Sequence, residues 1–273
     1  MQTKMDSGHQ KKKSVKNKGF IGFLMVAMLI VATVVLFALS PMFKVRGIGV
    51  HGNNHYSILE IVNASGIETN QNGFTYVGGS LAEIIGLRCG DAEGKIIQVL
   101  PYVDEAIVKY IVPDMVAIEI TEREPALVVP YMTAYLLVDE KGNVLDTVKN
   151  TGHGVPVARG MEVDSYKLGQ PLVMENKDSF DGIIGLIEAI RQSDISSERE
   201  ILDSIECFEA SGDEIHFRVD SRITVKVPTR GDYDYIVRFF REIYDKNITT
   251  DEKGVLDFSA GPNPVYTPER QEH

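Results

Sequence analysis

The sequence lacks most of what would mark an enzyme or a small disulfide-stapled domain. It holds two cysteines, Cys89 and Cys207, in 273 residues. An exterior region of some 230 residues can build cores without covalent staples. The two cysteines fall in what read as separate domains, so they are expected to be free thiols, with Cys207 in a core between Ile205 and Phe208. No H-E-x-x-H and no Ser-x-x-Lys occurs, so the zincin motif and the opening motif of a penicillin-binding transpeptidase are both missing. His51 and His55 are four apart, but Gly-Asn-Asn between them is turn chemistry, and no cysteine or carboxylate completes a metal set. They read as surface histidines. His153 lies between glycines and His216 in a strand pattern, neither beside a nucleophile. Gly47-Ile-Gly49-Val-His-Gly52 spells G-x-G-x-x-G. That fingerprint holds a pyrophosphate only where its glycines turn a strand into a helix, and here Asn-Asn-His-Tyr-Ser follows. Acid pairs such as Glu122 with Glu124 and Asp139 with Glu140 arise by chance among 39 acidic residues. The expected set is therefore empty: no catalytic residue, no metal site and no cofactor.

A second absence is of charge. No Asp, Glu, Lys or Arg occurs from Phe20 to Phe43. Twenty-four helical residues reach about 36 Å, enough to cross a hydrocarbon core of about 30 Å. Lys4, Lys11, Lys12, Lys13, Lys16 and Lys18 precede this run against Asp6 alone, a local charge of +5 that leaves −16 on the rest of a chain whose total is −11. Basic residues on that flank hold it in the cytoplasm, so the bulk is expected outside. A cleaved signal peptide is the rival reading, because Ala38 and Ser40 form a small-x-small pattern. The run exceeds the usual apolar core of such peptides, and Pro41 would follow the cut, so an uncleaved anchor is the expectation. The acidic body repels phosphates and excludes nucleic acid as a partner.

The exterior has no internal repeat. Val45, Ile48 and Val50 begin a strand, and two capping boxes, Ser57 with Glu60 and Ser80 with Glu83, open helices that end near Gly66 and Gly86. "RCGDAEG" breaks the second helix, and "KIIQVL" resumes helical spacing. "EAIVKYIV" and "MVAIEITE" read as strands around a Pro113-Asp114 turn, and the second alternates with period two. Residues 44–122 thus read β-α-α-β-β. "EREPALVV" reads as a strand leading into a second unit, followed by a hairpin turning at Glu140–Asn143 and a short strand in "GHGVPVARG". A helix follows with Ile183, Ile184, Leu186, Ile187 and Ile190 on one face and Asp178 as its N-cap, then a short helix capped by Ser197-Glu-Arg-Glu200. "SIECFEA", "EIHFRV" and "RITVKVP" are strands, "DYDYIVRFFREIYDKN" an amphipathic helix, and "GVLDFSAGPNPVYTP" a final strand pair. The fold class is α+β, the second unit being a largely antiparallel sheet with helices on one side. Asn63 and Asn247 begin glycosylation sequons, relevant only in a host that uses them.

These segments, in this order, resemble one family: the bacterial cell-division proteins called FtsQ in Gram-negative and DivIB in Gram-positive bacteria. "VRGIGVHGNNHYSILEIVNASGI" is similar to the family's POTRA opening, and "LPYVDEAIVKYIVPDMVAIEITEREPALVV" to its passage ending in V-x-E-R-x-P. "YLLVDEKGNVLD", "VPVARG", "YKLGQPL" and "GVLDFSAGPNPVYTP" are similar to segments of its β domain, and the ending "NPVYTPE" to Firmicutes-type members. The extra residues around "GLRCGDAEG" depart from the pattern. The resemblance implies a cytoplasmic tail (1–19), a transmembrane helix (20–43), a POTRA domain (44–122), a β domain (123–268) and a short tail (269–273). It implies a non-enzymatic scaffold of the divisome, in the cell membrane with its N-terminus cytoplasmic and enriched at the septum. Partners would be FtsB/DivIC-like and FtsL-like bitopic proteins, through which septal peptidoglycan synthesis is controlled. In the family the terminal strand is an exposed edge that receives a partner by strand addition, which maps the binding site onto Phe258, Ser259, Asn263, Val265 and Tyr266. The alternative is a POTRA-containing envelope protein of secretion or outer-membrane transport, whose modules repeat and precede a barrel; neither feature is present.

Overall fold

A computed structural model describes residues 18–175, 177–195, 197, 199–249, 251–259 and 264–269. Most of the basic tail, Asn263 and the residues after Glu269 lie outside them. Helix α1, Lys18–Ala38, carries a 19-residue stretch, Phe20–Ala38, of mean hydropathy 2.9 with none of it buried among the described residues. That length spans about 28 Å.

The first folded unit is a three-stranded sheet in the order β1-β3-β2. Strand β1 (Gly47–His51) runs parallel to β3 (Met115–Glu122), and β2 (Val103–Ile111) runs antiparallel to β3. Helix α2 (Ile58–Ser65) starts at the Ser57/Glu60 capping box and ends at Gly66 in the left-handed conformation, φ 67°. The carboxylate of Glu60 sits below its usual range because Ser57 donates to it from both hydroxyl and backbone. A five-residue helix α3 (Leu81–Ile85) opens on the second box, Ser80/Glu83. Helix α4 runs Gly90–Val99, so "RCGDAEG" supplies its first turn instead of a break. Glu93 explains the difference. Its carboxylate accepts the Val108 N–H at 2.8 Å and both Arg88 donors, Nε at 2.9 Å and Nη2 at 2.8 Å, tying the glycine-rich turn to β2. Ile61, Ile96, Val108, Tyr110 and Ile118 form the core with Cys89.

Cys89 is fully buried, whereas Cys207 is only half-buried; both are free, and it is Cys89 that sits in a core. Burial pushes the Cys89 thiol up to about 11 and raises Cys207 as well. Since the thiolate is the reactive form, iodoacetamide at neutral pH should modify the folded protein slowly, at Cys207 before Cys89, and both rapidly in denaturant. Mass spectrometry of a time course checks this; equal rates in the folded state would contradict the burial.

The second unit is a nine-stranded sheet in the order β14-β13-β12-β11-β10-β7-β4-β5-β6. Its strands are β4 (Leu127–Tyr131), β5 (Ala134–Val138), β6 (Val144–Val148), β7 (Val157–Arg159), β10 (Cys207–Ser211), β11 (Glu214–Val219), β12 (Ile223–Pro228), β13 (Gly254–Asp257) and β14 (Val265–Pro268). Strands β8 (Val163–Ser165) and β9 (Val173–Met174) form a separate pair. Five neighbouring pairs of the large sheet are antiparallel, while β4–β7, β7–β10 and β12–β13 are parallel. Helices α5 (Lys177–Ile195) and α6 (Tyr233–Lys246) pack on one face, joining Phe180, Ile183, Leu186 and Phe240 to Phe208, Phe217, Val225 and Leu256. Asp232 caps α6, its carboxylate accepting the Tyr235 N–H at 3.0 Å.

Three local expectations are corrected. Strand β4 begins at Leu127, because Arg123–Ala126 form a connector and not a strand. Asp178 lies inside the first turn of α5, where it pairs with Arg230, so it is not the N-cap. Arg199 and Glu200 are not helical. Asp194 instead holds a short 3-10 turn, Leu202–Ser204, accepting the N–H groups of Ile201 at 2.9 Å and Leu202 at 3.1 Å, while the Ser197 hydroxyl accepts from Arg241.

Glu122 and Arg123 join the two units. Glu122 accepts the N–H groups of Asn54, His55 and Tyr56, fixing the loop before α2. Arg123 reaches the other way, donating to Val103 O at 3.1 Å and Asp139 Oδ2 at 3.2 Å and pairing with Asp104 at 3.3 Å. Beside them Tyr56 and Tyr102 pack against Val128, Leu137 and Leu145, with the His55 ring stacked on Tyr102 at 3.7 Å. Burial raises the Tyr102 hydroxyl to about 12.

Candidate functional site at the open sheet edge

The last segment folds back on itself, and β14 is the outermost strand on its side of the large sheet. Strand β13 lies between β12, to which it is parallel, and β14, to which it is antiparallel. Gly254 donates its N–H to Arg222 O and Phe258 donates to Lys226 O at 2.8 Å, so alternate residues of β13 from Gly254 point their backbone groups toward β12. The residues between them face β14. On the partner, Glu269 donates to Lys253 O at 2.7 Å. With Val255 opposite Thr267 and Asp257 opposite Val265, the alternation places the N–H and C=O of Val265 and Thr267 inward. Tyr266 therefore turns both of its backbone groups outward.

The neighbouring outward positions are Pro264 and Pro268, which have no N–H to offer. Among the described residues of this edge, 264 to 269, the sequence thus leaves a single outward donor within the strand, at Tyr266, flanked by carbonyls. An unguarded edge templates indiscriminate pairing; this one restricts the donors it offers an incoming strand to the Tyr266 N–H.

The side chains divide between two faces. Tyr266 lies on the helix-covered face beside Leu256 and packs on the core, with its hydroxyl 3.4 Å from Lys253 O. Partial burial raises that hydroxyl's pKa. Its ring lies over Gly254: a Cβ there would come within 2.7 Å of the ring and 2.6 Å of Thr267 O, so a glycine is required for close approach. Val265 is 54% exposed on the opposite face. Phe258 is buried in the core, which corrects its placement on the landing edge; it anchors the end of β13 from beneath. Ser259 donates its N–H and hydroxyl to Asp257 at 2.8 and 2.7 Å, closing the strand with an Asx-type turn. Asn263 lies outside the described residues. The structure so brings Val265 and Tyr266 together at the border and sets Phe258 and Ser259 behind it. Gly254 was not singled out from sequence; its signal is a glycine opening an otherwise apolar strand. No group of three or more His, Cys, Asp or Glu able to hold a metal occurs among the described residues.

Comparison with known proteins gives three findings. Residues 43–123 match the family model of the FtsQ-type POTRA domain. The cell division protein FtsQ of Corynebacterium glutamicum is 26% identical over 190 residues, covering 70% of this chain and 72% of that protein. A solved structure of the major extracytoplasmic domain of DivIB from Geobacillus stearothermophilus, in its trans isomer, aligns with 47% of this chain and 99% of its own, at 13% identity and a TM-score of 0.29. With its apolar N-terminal helix and an FtsQ-type POTRA domain over residues 43–123, the chain is similar across 70% of its length to a bacterial cell division protein FtsQ.

Proposed function

We propose that the protein is a non-enzymatic scaffold of the divisome that captures a partner strand on β14. The observation that carries this reading is the edge itself: a terminal strand whose outer side is unpaired among the described residues and whose prolines leave one N–H between them. Main-chain hydrogen bonds to an added strand supply affinity, and side chains on its two faces supply specificity. The partners proposed are FtsB/DivIC-type and FtsL-type bitopic proteins, and through them the septal peptidoglycan synthases are regulated. In this reading residues 1–19 are cytoplasmic, 20–43 span the membrane, 44–122 are the POTRA domain, 123–268 the β domain and 269–273 a tail, with the protein concentrated at the septum.

Depletion in the native host should give filaments blocked before septation. Re-expression of a chain lacking residues 262–273 should fail to rescue division and fail to retain a DivIC-type partner in co-purification. Undiminished partner retention by that chain would sink the strand-capture reading, and normal division on depletion would sink the divisome role.

A further inference from the structure

The end of α1 is bonded to the first folded unit. Asn72 Nδ2 donates to Ala38 O at 2.7 Å, and four rings run on from the helix in edge contacts: Phe37 to Phe43, Phe43 to Phe74 and Phe74 to Tyr110, each 5.2 Å between centroids. Tyr110 donates its hydroxyl to Phe43 O at 3.0 Å. Tyr110 stands near the β2–β3 turn, so that turn lies beside the point where the apolar helix ends.

The same end of the unit exposes apolar side chains that no described residue covers. Ile111, Val112 and Met115 flank the turn, and Met42 precedes it at the helix exit. Helix α3 joins them through the backbone, since Tyr110 donates to Leu87 O at 2.9 Å and Cys89 to Val108 O at 2.8 Å. On α3, Leu81, Ile84 and Ile85 lie at i, i+3 and i+4, one helical face, with Leu81 75% and Ile85 76% exposed and no residue of the helix buried. Lys44 and Lys109 are exposed around this patch, Arg46 pairs with Asp114 of the turn at 3.7 Å, and Glu83 of α3 accepts the Ser80 N–H. An apolar face with lysines at its rim and its acidic groups held by partners is the composition of a segment that lies in a membrane interface.

We propose that the apolar face of α3, with the β2–β3 turn, rests in the headgroup layer of the bilayer crossed by α1. This rests on reading α1 as a membrane span. The occupant is lipid because Met42 and the β2–β3 turn adjoin the exit of that span, and the segment that follows α3 is bonded to the strand leading into that turn. Such a face enters about 5–10 Å, which would fix the tilt of the first unit over the membrane and hold β14 at a set height. The extra segment around "GLRCGDAEG", unexplained by partner binding, would thereby have a positioning role.

The sequence contains no tryptophan, so single substitutions give clean reporters. The full chain would be reconstituted in three kinds of phosphatidylcholine vesicle: with bromine on the acyl carbons nearest the headgroup, which reaches the patch reporters; with bromine at the acyl chain ends, which reaches the middle of α1; and without bromine. Ile85→Trp and Leu81→Trp report the patch, and Leu29→Trp reports α1. Leu59→Trp is the control: Leu59 is 68% exposed but follows the loop held by Glu122, at the opposite end of β3. Loss of emission at Ile85→Trp or Leu81→Trp, without loss at Leu59→Trp, supports the proposal. Quenching at Leu29→Trp with unchanged emission from both patch reporters overturns it while the span stands. A blue shift at the patch without quenching means that protein, such as a second copy, covers it, and also overturns it. Quenching at Leu59→Trp as well would mean that no one face is selected. No quenching at Leu29→Trp would remove the span and the proposal together.

Discussion

Replacing Tyr266 with proline is expected to abolish capture of a DivIC-type partner while the β domain stays folded. Two losses combine in this variant. Removing the ring takes away an aromatic anchor at the border, and truncations of such anchors typically cost about 2 kcal/mol or more, roughly thirtyfold in affinity. Removing the N–H takes the one outward donor of the strand, and a strand that cannot donate there leaves its partner's carbonyl unpaired, at a cost of about 1–3 kcal/mol. Tyr266→Ala separates the two, since it keeps the N–H. Affinity should therefore fall in the order Tyr266→Phe, Tyr266→Ala, Tyr266→Pro, with phenylalanine near the parent because the hydroxyl contact to Lys253 O is long at 3.4 Å. Proline is tolerated at an edge position whose N–H faces away from the sheet. Pro268→Ala supplies the reverse change: a second outward donor should lengthen the usable edge and raise self-association. Calorimetric titration with the partner, alongside thermal melts, checks the series. Equal binding by Tyr266→Ala and Tyr266→Pro would mean that the incoming chain does not use this N–H. Point changes are sharper than deleting the strand, because they keep β14 paired along β13, which the deletion would uncover.

Much of this architecture is legible in the sequence because local chemistry specifies it. The two Ser-x-x-Glu boxes, the positive-φ glycine at Gly66 and the period of two in Met115–Glu122 depend on neighbours a few residues away. Helix α6 is legible for the same reason, its apolar positions recurring with the helical period. What escapes is set by distant partners. Asp178 has the composition of an N-cap, yet its partner Arg230 is 52 residues away. The start of α4 depends on Glu93 meeting Val108 and Arg88, and no local signal shows that meeting. Strand order is hidden likewise: β7 lies between β4 and β10, parallel to both, through long connections that leave no mark on residues 157–159. At the edge, the prolines announce a border strand, but the parity that makes Tyr266 the outward donor depends on which side of β13 is occupied by β12. Phe258, apolar and close to the border in sequence, belongs to the core because it shares the helix-covered face with Leu256, two residues before it.

Arg123→Met should destabilise the protein by about 3 kcal/mol, the range for removing one member of a buried charge pair. Asp139 is nearly solvent-free, and Arg123 is one-tenth exposed. Without the guanidinium, the Asp139 carboxylate keeps the N–H of Lys141 at 2.9 Å, the N–H of Asn143 at 2.7 Å and Asn143 Nδ2 at 2.8 Å, but loses its countercharge. Asp104 would retain only the exposed Lys141 ammonium at 2.9 Å, a contact of little net value in water. Adding Asp139→Asn to Arg123→Met removes the orphaned charge, so the double variant should be more stable than the sum of the single changes implies. Urea denaturation of the four proteins measures that coupling; additive costs within about 0.5 kcal/mol would show that the pair does not act as a buried unit. The position of the pair gives it a second consequence. Arg123 is the first residue after β3, and its neighbour Glu122 holds the loop at Asn54–Tyr56, so one dipeptide fixes both sides of the joint. Loosening that joint leaves the backbone of β14 untouched. Arg123→Met should therefore bind an isolated partner segment as the parent does, yet support division poorly, because the edge is no longer held at a fixed angle to the membrane-anchored unit.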